Sequence, residues 1–173
     1  MMIKFLVSLV IILSSTAIGM LLSHRYTLRV KCLKSLHHAM QMLEVETLYA
    51  SKPLPVAMKT IAERSYPSIS VIFHKMHTLL LGRMGITVSE AWYQSVDQYA
   101  VDLPLNKEDI DVLKEFGKML GTTDREYQEK NFHHLYFLLK KQEEDAVSQK
   151  CKNEKLYKSL GILTGIGIVI VLI

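Results

Sequence analysis

The chain has 173 residues, with 21 Lys and Arg against 17 Asp and Glu, a net charge of +4 and two cysteines. Two cysteines cannot build a disulfide framework, which indicates free thiols in a reducing compartment. Much of the positive charge flanks two apolar ends, and the signs are mixed between them, so the basic balance does not predict nucleic-acid binding.

The first apolar segment, residues 3–22, contains one charged side chain, Lys4. About 20 helical residues at a rise of about 1.5 Å each cover the hydrocarbon core of a bilayer. We therefore predict a transmembrane helix over residues 1–23. Small residues at Ala17 and Gly19 leave a cleaved signal peptide as the alternative, although the apolar run continues past them.

The next stretch, residues 24–158, has helical spacing throughout and predicts an all-α domain, a bundle of about six helices between two membrane segments. The first helix is expected to run inward from the membrane through Leu43 and Tyr49 and to break at Ser51 to Pro53. A short helix over Val56 to Arg64 follows. A third helix is expected to begin at Ser68, with Val71, Ile72 and Met76 at helical spacing.

Capping signals place the remaining helices. Thr87 to Glu90 is a capping box, and Asn106 can cap a helix that Gly121 closes. A second box, Thr123 to Glu126, is expected to start the longest helix, which has no Gly or Pro before Gly161. On that helix the charged side chains near residues 140–145, Glu143 among them, are expected to form a solvated face.

The second apolar segment, residues 159–173, has no charged side chain. We predict a transmembrane helix here, although residues 160–173 cover only about 21 Å as a helix. Gly161 and Gly165 are spaced four apart, which favours close packing against another membrane helix. The alternative is that these glycines only reflect the composition of membrane helices.

Basic side chains flank both segments on the side of the middle domain. This excess predicts a domain on the cytoplasmic side of the cell membrane, in contact with lipid head groups, and both termini outside. The flanking residues are Arg25, Arg29, Lys31, Lys34, Lys150, Lys152, Lys155 and Lys158.

The sequence contains no phosphate-binding loop, nucleophile elbow or His-Glu-x-x-His zinc motif. Its seven histidines lack the companion ligands of a zinc site. We therefore expect no catalytic, cofactor-binding or metal-binding residues, and a protein that is not an enzyme.

The connection between the last two helices is the candidate partner contact, because loops between rigid helices often carry binding residues. The alternative is a tight helix connection without a partner. The candidate residues are Phe116, Gly121, Asp124, Arg125 and Gln128.

Six short segments carry a family pattern in order: residues 43–49, 53–55, 61–64, 90–92, 116–126 and 153–161. Together they resemble the stage III sporulation protein AB family of spore-forming bacteria, and the resemblance covers essentially the whole chain. One departure lies at Ala50 to Lys52, where the family pattern leads us to expect a glycine.

The resemblance implies a non-enzymatic membrane component of the channel joining mother cell and forespore, located in the mother-cell membrane that faces the forespore. The domain is similar to the cytoplasmic domains of the inner-membrane platform protein of type II secretion and type IV pilus machines. The implied partners are a neighbouring secretion-type ATPase, other stage III sporulation membrane proteins and further copies of the chain. A membrane-anchored adaptor or sensor in vegetative cells is the alternative function.

Overall fold

The computed structural model describes the backbone of residues 2–82, 85–121 and 124–172. Within these ranges the side chains of residues 2–9, 12, 22, 158, 161, 162, 165, 171 and 172 fall outside the description. All secondary structure in the described ranges is helical, which confirms the all-α prediction. The elements are α1 (Met2–Glu44), a π-helical turn (Val45–Tyr49), α2 (Leu54–Arg64), α3 (Pro67–Leu81), α4 (Val88–Tyr99), a 3-10 turn (Ala100–Asp102), α5 (Lys107–Gly117) and α6 (Arg125–Leu172).

The chain divides into two compact units. The central unit comprises Lys31–Glu144, and the terminal unit comprises Met1–Val30 together with Asp145–Ile173. The predicted boundaries between the membrane segments and the middle domain, after residues 23 and 158, stay predictions.

The helix starts follow the local sequence. Prolines occupy the first turns of α2 and α3, where a missing N–H costs nothing. The capping box at Thr87 and Glu90 is present, and Asn106 caps α5 with Asp109 reaching back to it. Both predicted caps are therefore confirmed.

Inside the central unit, α2 packs on α3, α3 on α4 and α4 on α5. A run of rings from four helices passes through its core, with Phe73 next to Trp92, Trp92 edge-on to Phe116 and Phe116 next to Phe132, at centroid distances of 6.0, 5.8 and 5.2 Å. Large apolar side chains from α1 to α3 complete this core: Leu33, Leu36, Met40, Leu43, Met58, Ile61, Ile69, Ile72 and Met76.

A polar cluster joins α1 to α6 in the central unit. The Tyr136 hydroxyl donates to Glu44 Oε2 at 2.8 Å, and the Tyr136 ring stacks on His37 at 5.3 Å. His37 Nδ1 lies 2.7 Å from Glu143 Oε1. Burial, followed by the bond to Glu44, raises the pKa of Tyr136 above its ordinary value. The prediction that Glu143 is solvated is wrong, because this carboxylate is buried against His37.

In the terminal unit, Arg29 is buried and binds Asp145 at 3.2 Å and Gln149 at 3.1 Å. The rings of Tyr26 and Tyr157 stack at 6.0 Å. Arg29, expected among the cations facing lipid, is therefore engaged inside the protein. Over the residues that are described, none of the helices combines the length and the apolar character needed to span a bilayer.

Candidate partner-binding corner

The end of α5 is fixed by its contact with the indole of Trp92. Trp92 Nε1 donates to the Leu113 carbonyl at 2.7 Å, and both side chains are buried. A Cβ at Gly117 would overlap Cδ1 of the same indole. The helix can lie this close to Trp92 only because residue 117 has no side chain.

The chain then turns out of α5 through three consecutive short-range bonds. The amides of Lys118, Met119 and Leu120 donate to carbonyls three residues earlier, at 3.1 to 3.4 Å. Gly121 follows with a φ of +89°, which a residue with a side chain rarely adopts, and Val88 lies against the position of its missing Cβ. The regular helix thus ends at Gly117, and the predicted end at Gly121 is the end of the turn that follows.

Helix α6 starts on the other side of this turn. Asp124 Oδ1 accepts from the amides of Glu126 and Tyr127 at 3.0 and 3.4 Å. A carboxylate at this position satisfies free amides and opposes the positive end of the helix dipole. Asp124 therefore acts as a cap, and the predicted cap at Thr123 lies outside the described residues.

The facing wall comes from the link between α1 and α2. α1 passes into the π-helical turn, and Ser51 then has a φ of +51°. Lys52 forms an ion pair with Glu46 inside this link. A left-handed backbone costs a non-glycine residue on the order of 1 kcal/mol, so the glycine expected here from the family pattern has a physical reason.

Arg125 belongs to the rim of the corner. Its guanidinium carbon lies 6.0 Å from the centroid of the Tyr49 ring, within range of a cation–π contact. Tyr49, through which the first helix was expected to continue, is exposed. The contact joins the first turn of α6 to the π-helical turn.

A cavity of about 270 Å³ lies between these segments, and we call it the corner cavity. Its described lining residues include one cation and two amides but no carboxylate. The lining residues are Thr47, Lys52, Leu54, Phe116, Met119, Leu120, Gly121, Gln128, Asn131 and Phe132.

One polar group of the wall is unsatisfied. The Asn131 side-chain nitrogen Nδ2 is buried and has no hydrogen-bond partner among the described residues. A buried donor without an acceptor costs about 1–3 kcal/mol, so this group favours the arrival of an acceptor from elsewhere. Among the described residues, no group of three His, Cys, Asp or Glu is placed to hold a metal ion.

The family model of stage III sporulation protein AB matches residues 4–173. The chain belongs to the stage III sporulation protein AB family. A relative described as stage III sporulation protein AB, from Bacillus subtilis (strain 168), is 33% identical over 171 residues, which are 99% of either chain. A solved structure of stage III sporulation protein AB has a TM-score of 0.66 at 31% identity, and the match covers 71% of this chain and 96% of that one. Membership assigns the chain a role in sporulation.

In this family member, three of the five candidate contact residues, Phe116, Gly121 and Gln128, line the corner cavity. Asp124 and Arg125 do not, since one caps α6 and the other lies over Tyr49. Whether the corner binds a partner stays a prediction.

The candidate residues did not include seven of the ten lining residues: Thr47, Lys52, Leu54, Met119, Leu120, Asn131 and Phe132. The available signal was the turn ending in Pro53 and Pro55, together with the position in that turn where the family pattern favours glycine. Neither pattern says that the turn lies against the end of α5, because that contact joins segments far apart in the chain.

The terminal unit holds a second concave surface, an apolar groove of about 690 Å³ between α1 and α6. Ser14, Ser15 and Gly19 contribute small residues to one wall, and Leu160 and Thr164 belong to the other. Gly161 and Gly165, predicted to pack against a membrane helix, lie within α6, but their surroundings fall outside the description. Their packing role stays a prediction.

Proposed function

We propose that this chain is a non-enzymatic membrane component of a secretion-like channel linking mother cell and forespore, and that it couples a cytoplasmic ATPase to the membrane assembly. Membership of the sporulation family over nearly the full chain supports the process. The observation that carries the coupling is the single unbroken helix α6, which begins beside the corner cavity and continues to Leu172.

Membrane attachment is supported by the sequence of the two chain ends. Residues 3–22 carry one charge and residues 159–173 carry none, while basic residues follow the first segment and precede the second. The positive-inside rule then puts the central unit on the mother-cell cytoplasmic side. Lipid head groups are the partners of the exposed flanking cations.

The corner supplies a surface on which a partner could act. Its two walls come from the α1–α2 link and from the α5–α6 turn, and Arg125 contacts Tyr49 across them. A protein bound here would push directly on the first turn of α6. Helices transmit such a displacement along their axis because every backbone hydrogen bond lies within the helix.

Other members of the secretion-like complex, and further copies of this chain, are the proposed partners in the membrane. The apolar groove of the terminal unit is a surface suited to a helix within a bilayer, because it is lined mainly by aliphatic and small side chains. An adaptor in vegetative cells is the less favoured function, since family membership ties the chain to sporulation.

Deletion of the gene in its native spore-former, followed by complementation, tests the process. We expect the deletion to arrest sporulation after engulfment and to leave vegetative growth unchanged. Tagged protein from sporulating cells should co-purify with the ATPase encoded beside it.

The interface is tested with Arg125→Glu, which reverses a charge on the corner, and with Lys140→Glu as its control, an exposed position further along the same helix. We expect the first variant to lose most of the co-purifying ATPase and the second to retain it. Normal spore formation in the deletion strain would refute the proposed process, and equal recovery of ATPase with both variants would refute the interface.

A further inference from the structure

The corner cavity combines apolar lining residues with one unsatisfied polar donor, the side-chain amide of Asn131. We propose that it binds a segment of another protein that presents one bulky apolar side chain beside a carboxylate. This proposal rests on the proposed function, because it describes the partner segment that would dock at the corner. It goes further in assigning the chemistry of that segment.

The size and floor of the cavity select the apolar side chain. Phe116 and Phe132 are both buried, and their rings lie 5.2 Å apart beneath the cavity, with Leu54 and Leu120 at its sides. An apolar cavity of about 150 Å³ is enough to bind a benzene ring. The corner cavity, at about 270 Å³, therefore has room for a Leu, Met or Phe side chain and part of its neighbour.

The polar wall selects the carboxylate. Asn131 Nδ2 is a buried donor without a partner among the described residues, and Lys52 is the charged member of the wall. The described lining residues include no Asp or Glu, and Lys52 is already paired with Glu46 of the α1–α2 link. Arg125 adds a second cation on the rim. A carboxylate accepts from amides and cations with stronger bonds than a neutral acceptor does.

The combination of both features points to a peptide segment. The residues that dominate a protein interface are usually side chains buried in well-packed pockets. A charged group that pairs with an opposite charge often lies beside them. Water alone would satisfy Asn131 but would also hydrate the partly exposed apolar side chains of Leu54 and Leu120, which is unfavourable.

The experiment is a selection of random peptides displayed on phage against the purified full-length protein in detergent micelles. We expect enrichment of peptides with a bulky apolar residue adjacent to Asp or Glu. Each selected peptide is then synthesised in two forms, one with its Asp or Glu and one with Asn or Gln in the same position. The affinities of both forms are measured by fluorescence anisotropy. The acid should bind at least about tenfold more tightly than the amide.

Two variants locate the binding. Leu120→Trp fills the cavity and should weaken the binding of the acidic peptide by at least about tenfold. Asn131→Leu removes the unsatisfied donor, so it should raise the melting temperature while abolishing the preference for acid over amide. Asn153→Leu, on the same helix but away from the cavity, is the control and should change neither affinity nor preference.

Failure to enrich any peptide, or enrichment of basic or purely polar peptides, would overturn the proposal. So would equal binding to the protein and to Leu120→Trp. If light scattering shows a dimer that Leu120→Trp converts to a monomer, the occupant is a second copy of the chain, and the proposed segment of another protein is wrong. None of these results depends on the sporulation phenotype, so the proposal can fail while the proposed function stands.

Discussion

Gly117 is a residue whose identity the packing dictates. Its missing Cβ leaves room for the buried Trp92 indole, which also donates to the carbonyl of Leu113. Gly117→Ala should destabilise the protein by about 2 kcal/mol, because the cost of overpacking exceeds the gain in helix propensity. Thermal unfolding followed by fluorescence of Trp92, the single tryptophan, measures the effect.

Gly167→Ala is the matched control. Nothing lies within 4 Å of a Cβ built at Gly167, so the substitution should not lower the melting temperature and can raise it slightly through the gain in helix propensity. An equal loss of stability in the two variants would show that steric overlap with Trp92 is not the cause.

The two thiols should differ strongly in reactivity. Burial, with a further contribution from the charge of Asp109, raises the pKa of Cys32 to about 12, whereas Cys151 is exposed. We expect a maleimide at neutral pH to label Cys151 at least about a hundredfold faster than Cys32, since the thiolate is the reactive form. Samples are digested at successive times, and mass spectrometry of the peptides gives the labelling rates of both cysteines. Similar rates in the folded protein would contradict this assignment.

The raised pKa of Cys32 also predicts how stability depends on pH. The unfolded thiol ionises near its ordinary pKa of 9.0, while the folded thiol stays protonated until about pH 12. Stability should therefore be unaffected by this group below pH 9.0 and fall as the pH rises from 9.0 towards 12. Cys32→Ala should weaken that decline in urea unfolding curves measured at a series of pH values.

Residue-level prediction succeeded where helical spacing decides burial and failed where a neighbour decides it. Leu43 and Ile72 are buried as expected from their spacing. Tyr49 and Val71 share that spacing but are exposed, and Glu143 looks solvated in sequence but is buried against His37. The partners of these side chains come from other helices, and one sequence does not specify them.

At the scale of elements, helix starts were more predictable than helix ends. Thr87 and Asn106 satisfy amides of their own helices, so their role is local and visible in the sequence. The end of α5 depends on how Gly117 lies against Trp92 of another helix. The sequence therefore indicates a glycine-rich stop but not which of its residues ends the helix.

Helix α6 is the element on which the proposed coupling depends. A short Gly/Ser insertion after Lys152 should abolish spore formation with the protein level unchanged, because flexible residues interrupt the continuous hydrogen bonding of the helix. Heat-resistant spore counts and an immunoblot measure both quantities.

The same insertion after Pro104, in the connection between the 3-10 turn and α5, is the control for chain length. We expect it to be tolerated much better. Normal sporulation with the insertion in α6 would rule out rigid coupling through this helix.

For the whole molecule, the proposed membrane attachment predicts a definite fractionation. The protein should remain in the membrane pellet after alkaline carbonate washing and should be released by detergent, because apolar segments at both ends hold it in the bilayer. Release by carbonate would contradict the two proposed spans.

The orientation can be tested with the exposed thiol of Cys151. A membrane-impermeant maleimide should label it only after the cells are permeabilised, since the proposed topology puts this residue on the cytoplasmic side. Labelling in intact cells would reverse the orientation.

The general class of the molecule was readable from its sequence, whereas the shape of its site was not. The order of helices and the family followed from caps, spacing and motif order. The corner was indicated by Phe116 and Gly121, but the cavity also needs Lys52 and Asn131. Sequence separation hides such a site, because the two walls lie more than 60 positions apart along the chain.

The π-helical turn at Val45–Tyr49 gives the position of this corner an unexpected dependence on chain length. A π turn holds about one residue more than an α turn, so it shifts the phase of everything that follows. Removing a single residue here would rotate the departing chain by about 100° around the axis of α1. Lys52 and Leu54 would then point away from the end of α5 although no residue of the corner had changed. In this family member, deletion of one residue from that turn would thus have the same effect as loss of the corner cavity.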